Sequence, residues 1–180
     1  MRRLPLFLAL ASVVFAPALR AQEPEAKIAA KVPACPSTAT LDQLITAIDA
    51  GVSGPADKDR TCFRALFLPN ARLVPIRIAQ DGTAMPVVLT VEDWVNAVKK
   101  RGSDMVVEKQ LKVKTETWAH LAHLWSTYET KIGEKDADRG INSIQAIFDG
   151  KQWHIVEIAW QAETPADSIP AQYLPSSCHP

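Results

Sequence analysis

The stretch that decides the fold is residues 105–163, MVVEKQLKVKTETWAHLAHLWSTYETKIGEKDADRGINSIQAIFDGKQWHIVEIAWQAE. Here the apolar residues alternate with polar ones, the period of a half-buried strand, instead of recurring at helical spacing. The stretch divides into four strand candidates, 105–118, 121–132, 140–148 and 152–163, joined by AH, GEKDADR and DGK. Connections this short make consecutive strands antiparallel neighbours.

Upstream the pattern is helical. In LDQLITAIDAG, Leu41, Leu44, Ile45 and Ile48 share one side, Thr40 or Ser37 can cap the start, and Gly51 ends it. A second short helix is expected over DKDRTCFRALF, with Phe63, Leu66 and Phe67 buried and Pro69 and Asn70 as its break. ARLVPIRIA and PVVLT flank an Asp81-Gly82 turn and read as a hairpin. TVEDWVNAVKK then reads as a third helix, capped by Thr90, with acids in its first turn and bases in its last, matching the helix dipole. Helices followed by an antiparallel meander predict an α+β domain with the helices on one sheet face.

The two ends of the chain read differently. Arg2 and Arg3 precede an apolar run over residues 4–16, and small residues follow at Ala16, Ala18 and Ala21. This is the layout of a secretory signal peptide over residues 1–21, so the protein is expected to be exported, periplasmic or secreted, and free of the membrane after cleavage. Removing that segment takes away Arg2, Arg3 and Arg20 and no acid, leaving 17 basic against 20 acidic residues, a net charge of −3. Such a balance offers no basic surface for a nucleic-acid backbone. Residues 22–40 read as a flexible lead-in, 41–163 as the domain, and 164–180, with four prolines, as an irregular tail.

Three cysteines, Cys35, Cys62 and Cys178, would meet an oxidising compartment, which predicts one disulfide and one remaining thiol. Cys35 and Cys178 are the expected pair because chain ends often lie close together. Cys62 pairing with either tail is the alternative. No metal-ligand spacing, nucleophile elbow, phosphate loop or dinucleotide fingerprint occurs, so no metal or cofactor is expected.

The segments FRALFLPNARLVP (63–75), LTVEDWV (89–95), HLWSTYE (123–129) and RGINSIQAIFDGKQWHIVEIAW (139–160) together resemble the nuclear transport factor 2-like superfamily, which includes the SnoaL-like proteins. The ending WQAETP…IPAQYLP is similar to exported members of the group. The resemblance implies a cone: a curved antiparallel sheet wrapped around three N-terminal helices, with a pocket at its open end. The superfamily spans isomerases, dehydratases, polyketide cyclases, transport adaptors and members without assigned activity. Its enzymes place an acid or a His–Asp pair in the cone.

Candidate site residues follow from this frame. Trp94 and Tyr128 suit the wall of a pocket for a small hydrophobic ligand, and Tyr128 adds a polar handle. Strict alternation puts Trp153, Ile155, Glu157 and Ala159 on one face of the last strand, with His154, Val156, Ile158 and Trp160 on the other. Glu157 on the inward face would be the acid of interest, with Asn142 or Gln145 as orienters. A two-residue Asp149-Gly150 turn sets Asn142 opposite Glu157; a three-residue loop with a bulge sets Ser143 there and Gln145 opposite Ile155. Asp42 and Asp49 on the first helix read as solvated. The favoured function is a non-catalytic module binding a small molecule or partner. The alternatives are a cofactor-independent isomerase or dehydratase using Glu157, and a structural dimerisation module. A homodimer through the convex sheet face is expected, with Val156, Ile158 and Trp160 in the contact.

Overall fold

The structure is a computed structural model that describes residues 34–102 and 105–176, the side chains of 136 and 137 excepted. The expected signal peptide, residues 22–33 of the lead-in and Cys178 lie outside the described residues. Three helices and six strands follow in the order α1 (Leu41–Val52), α2 (Thr61–Arg64), β1 (Phe67–Ile78), β2 (Ala84–Pro86), α3 (Val91–Lys99), β3 (Val106–Trp118), β4 (Leu121–Ile132), β5 (Lys135–Phe148) and β6 (Trp153–Ala162). A 3-10 turn, Ala171–Tyr173, sits in the tail.

Local chemistry explains the helix bounds. Thr40 caps α1 and Thr90 caps α3, each in a reciprocal capping box with Gln43 and Asp93. At the far end of α1 the Lys58 ammonium donates to the carbonyls of Ala50 at 2.7 Å and Ser53 at 2.9 Å. The buried Arg60 guanidinium donates to those of Gly51 and Val52. Two cations thus satisfy the orphan carbonyls and face the negative end of the helix dipole. The second helix is shorter than its sequence suggests. Only Thr61–Arg64 is helical, and Phe67 already belongs to β1, because Asn70 adopts a left-handed φ of 65° and the strand passes through Pro69.

The sheet order is β2-β1-β6-β5-β4-β3. Strands β3 to β6 form the expected antiparallel meander, but β1 lies parallel to β6, so the sheet is mixed rather than wholly antiparallel. The long path from β1 through β2 and α3 to β3 permits that parallel partnership, which a short turn could not. The connection expected over 133–139 is mostly strand, since β5 begins at Lys135. The helices cover the concave face, where Leu44, Ile48, Phe63, Trp94 and Val95 meet Leu73, Leu124, Ile144, Ile155 and Ile158 in one core.

Among the register shifts of the sheet, one in β3 and one in β6 decide where Glu108 and Glu157 face. In β3 the register with β4 shifts between Gln110 and Lys112, leaving Leu111 as the extra residue. In β6 the register with β5 shifts between the pairs Gln145–Glu157 and Ala146–Ile155, leaving Val156 as the extra residue. A bulge exchanges inward and outward positions beyond it. Trp153 and Ile155 therefore share the inward face with Ile158 and Trp160, not with Glu157. The observed hairpin has a four-residue loop, 149–152, between the paired Phe148 and Trp153, and neither expected register occurs. Asn142 lies opposite Trp160, Ser143 opposite Ala159, and Gln145 opposite Glu157.

The disulfide joins Cys35 to Cys62, not to Cys178. Residues 34–40 are not a loose lead-in: the buried Thr38 accepts from Trp153 N at 2.8 Å and its hydroxyl donates back to Trp153 O at 2.9 Å. That docking lays Cys35 beside α2, with a Cα–Cα distance of 5.1 Å to Cys62, within reach of a bridge.

Candidate functional site

A cavity of about 170 Å³ opens between the helices and the concave face. Its apolar wall includes Ile48, Val52, Leu73 and Ile158, and its aromatic wall Phe63, Trp94, Tyr128 and Trp160. Phe63 and Trp94 stack with centroids 4.5 Å apart, fixing one side. Across β3, β4 and β5 runs a row of polar side chains. The Ser126 hydroxyl donates to Gln110 Oε1 at 2.6 Å, and the Asn142 amide donates to the same oxygen at 3.2 Å. Gln110 Nε2 donates to Glu108 Oε1 and the Thr130 hydroxyl to Glu108 Oε2, both at 3.2 Å.

The end of α1 holds this row in place. Ser53 Oγ donates to Glu108 O at 3.2 Å and accepts from Glu108 N at 2.9 Å. The Asp49 carboxylate accepts from Gln110 N at 3.1 Å. These contacts bind the open edge of β3 while Glu108 and Gln110 project into the cone. Burial pushes the Glu108 carboxyl up to about 7, the Asp49 carboxylate adds in the same direction, and the hydrogen bonds from Thr130 and Gln110 oppose it. Burial also raises Asp49, against the hydrogen bonds from Gln110. The Tyr128 phenol is raised by burial first and then by the carboxylates of Glu108 and Asp138. Tyr128 fits only because its neighbour on β5 is Gly140, where a Cβ would stand 2.6 Å from the phenol oxygen.

Among the expected site residues, Trp94, Tyr128 and Asn142 line this cavity together. Gln145 and Glu157 do not; they are paired on the other face of the sheet. There Glu157 Oε2 lies 2.6 Å from Arg72 Nη2, with the arginine side chain 61% exposed, so the pair is a surface ion pair. Ile158 and Trp160 line the cone, which removes two of the three residues expected in a convex-face dimer contact. The acid that does enter the cone, Glu108, escaped the sequence reading. Unbroken alternation groups it with Lys112 and Lys114 as one wet face; the Leu111 bulge separates them.

The outer face carries a larger hollow of about 520 Å³, between Trp125, Ile141 and Ala159 and the tail around Ile169. Its acids already hold the tail: Glu163 accepts from Arg139 and from Ile169 N, and Asp167 from Thr164. His123 Nε2 lies 3.2 Å from Ser143 Oγ on this face, without a carboxylate bonded to the imidazole among the described residues. Among the described residues no three His, Cys, Asp or Glu side chains converge as a metal site. The smaller, acid-bearing cone is the candidate site.

Solved structures share this fold. A protein assigned as the beta subunit of an aromatic-ring-hydroxylating dioxygenase from Novosphingobium aromaticivorans superposes with a TM-score of 0.55 at 13% identity, over 76% of this chain and 94% of that one. A protein of unknown function from Pseudomonas putida, described as nuclear transport factor 2-like, gives 0.53 at 12% identity, over 72% and 90%. Another so described, from Shewanella baltica, gives 0.50 at 10%, over 69% and 91%. The chain has the nuclear transport factor 2-like fold. No protein-family model matches the sequence, and no curated protein matches it either. The similarity is thus one of architecture, and the nuclear transport factor 2-like cone, with Glu108 inside it, has to be read from its own residues.

Proposed function

We propose that the chain is an exported binding module that takes one small, mostly apolar molecule into the nuclear transport factor 2-like cone. The observation that carries this reading is the pair Glu108 and Asn142, joined through Gln110, set in a cavity whose aromatic and aliphatic walls also carry Thr130, Asp138 and Arg101. Few convergent polar groups among apolar walls is the usual composition of a small-ligand site. The cavity is comparable with one of about 150 Å³ that holds benzene, so the ligand is of single-ring size. Export is supported by the N-terminal sequence and by the Cys35–Cys62 bridge, since disulfides persist in oxidising compartments. Native mass spectrometry of protein purified from its source tests the module: one small molecule per chain is expected. Bare chain in every gentle preparation, with no saturable quenching of tryptophan fluorescence by small aromatic compounds, counts against it.

A second reading has a specific observation behind it. A carboxyl titrating near 7 beside an apolar cavity is suited to take and return a proton at neutral pH. In the enzyme reading, Glu108 takes the acid/base role in an isomerisation or dehydration, with Gln110 and Asn142 orienting the substrate. Any turnover found should disappear in Glu108→Gln and survive Glu157→Gln. Dimerisation as the sole role is weaker, because the tail lies over the outer face, bonded through Thr127 Oγ1 to Tyr173 O and Lys112 Nζ to Leu174 O.

A further inference from the structure

Glu108 brings a carboxyl into an aromatic-walled cavity, and among the described residues no Lys, Arg or His is ion-paired with it. Its hydrogen-bond donors, the Thr130 hydroxyl and the Gln110 amide, are neutral. An ionised carboxylate accepts at about four positions, so part of its capacity stays open. Buried charges are normally paired, and the missing counter-charge is therefore a question the site poses. The charged and titratable groups around Glu108 are Asp49 from α1, Tyr128 from β4, Asp138 from β5 and Arg101 just after α3. Arg101 is the sole cation of that set, exposed, and the weakest influence on Glu108. Carboxylates dominate the field.

The walls point the same way. Phe63, Trp94, Tyr128 and Trp160 line one small space, and aromatic faces attract cations when water is excluded. Trp94 already carries the Arg60 guanidinium 5.9 Å from its ring centroid. We propose that the ligand of the cone is a small organic cation, a protonated amine on a single-ring-sized apolar body, its ammonium paired with Glu108 between the aromatic walls. This inference rests on the cone's being a ligand site, as proposed above. A neutral ligand would leave Glu108 without a counter-charge and favour its protonated form, and an anion would meet the carboxylates of Glu108 and Asp138. Because the amine pairs with the ionised carboxylate, binding strengthens as pH rises through the Glu108 titration and weakens below it.

Benzylamine, benzyl alcohol and benzoate share one ring and differ in charge, so calorimetric titration of the full chain with each separates the possibilities. At about pH 8 benzylamine should bind at least about tenfold more tightly than benzyl alcohol, and at about pH 5.5 that preference should vanish. Glu108→Gln should abolish the preference of benzylamine over benzyl alcohol, which separates Glu108 from Asp49 and Asp138; a preference kept in that variant overturns the pairing with Glu108. Trp160→Leu should weaken benzylamine more than the alcohol. Benzyl alcohol or benzoate binding as tightly as benzylamine overturns the cation and leaves the ligand site standing. No saturable binding by any of the three overturns both.

Discussion

The two faces of the sheet each carry one glutamate that alternation assigns wrongly, and the two errors are mirror images. Unbroken alternation would class Glu108 with Lys112 and Lys114, yet it lies in the cone; it would set Glu157 beside Trp153 and Ile155, yet Glu157 lies outside against Arg72. One extra residue causes each reversal, Leu111 in β3 and Val156 in β6. The physical outcome differs sharply. Burial holds Glu108 up to about 7, whereas Glu157 meets an arginine in solvent. A site in this fold is therefore made by where the bulges fall, more than by which acids the strands contain.

Deleting Val156 tests this contrast most directly. Without the extra residue plain alternation keeps Ile158 and Trp160 inward and Glu157 outward, so a cooperative denaturant transition should survive; its complete loss would mean that the bulge itself, and not the faces it assigns, holds the strand. Gly140→Ala acts inside the cone. Its Cβ would fall 2.2 Å from Gln161 O and 2.6 Å from the Tyr128 hydroxyl. A cost of about 2–3 kcal/mol in urea unfolding is expected, with Tyr128 displaced from the cavity.

Glu108→Gln tests the buried side through pH. The carboxyl titrates near 7 in the folded chain against an ordinary 4.5, so between these values the folded state holds the extra proton. Stability from this group is complete below about pH 4.5 and is lost as pH rises through about 7, a change of about 3 kcal/mol. The glutamine variant, which resembles the protonated acid, should remove that slope and be the more stable protein at about pH 8. Denaturation midpoints between about pH 4.5 and 8 decide it; an unchanged slope would place the titration elsewhere. The smallest effect belongs to Glu157→Gln, below about 0.5 kcal/mol in urea unfolding at about pH 7, because Arg72 is largely exposed and the pair is screened.

Much of the architecture was legible along the chain. The alternating stretch from Met105 to Glu163 delivers the four long strands, and Thr40 and Thr90 stand where the helices are capped. Trp94 and Tyr128 line the cavity as the local periods of their elements suggest, whereas Asn142 and Gln145 were alternatives that only the register of the last hairpin separates. Glu108 was not, because Lys109, Lys112 and Lys114 surround it with the signature of a solvated strand.

The sequence by itself therefore determined the order of elements, the α+β layout and the polar and aromatic residues available to a site, because these depend on local period and capping. Tertiary structure alone decided the parallel seam between β1 and β6, the pairing of Cys35 with Cys62, and the acid that enters the cone. Each of those rests on contacts between segments distant in sequence. In a strand, whose side-chain period is two, a single inserted residue is enough to exchange inside for outside.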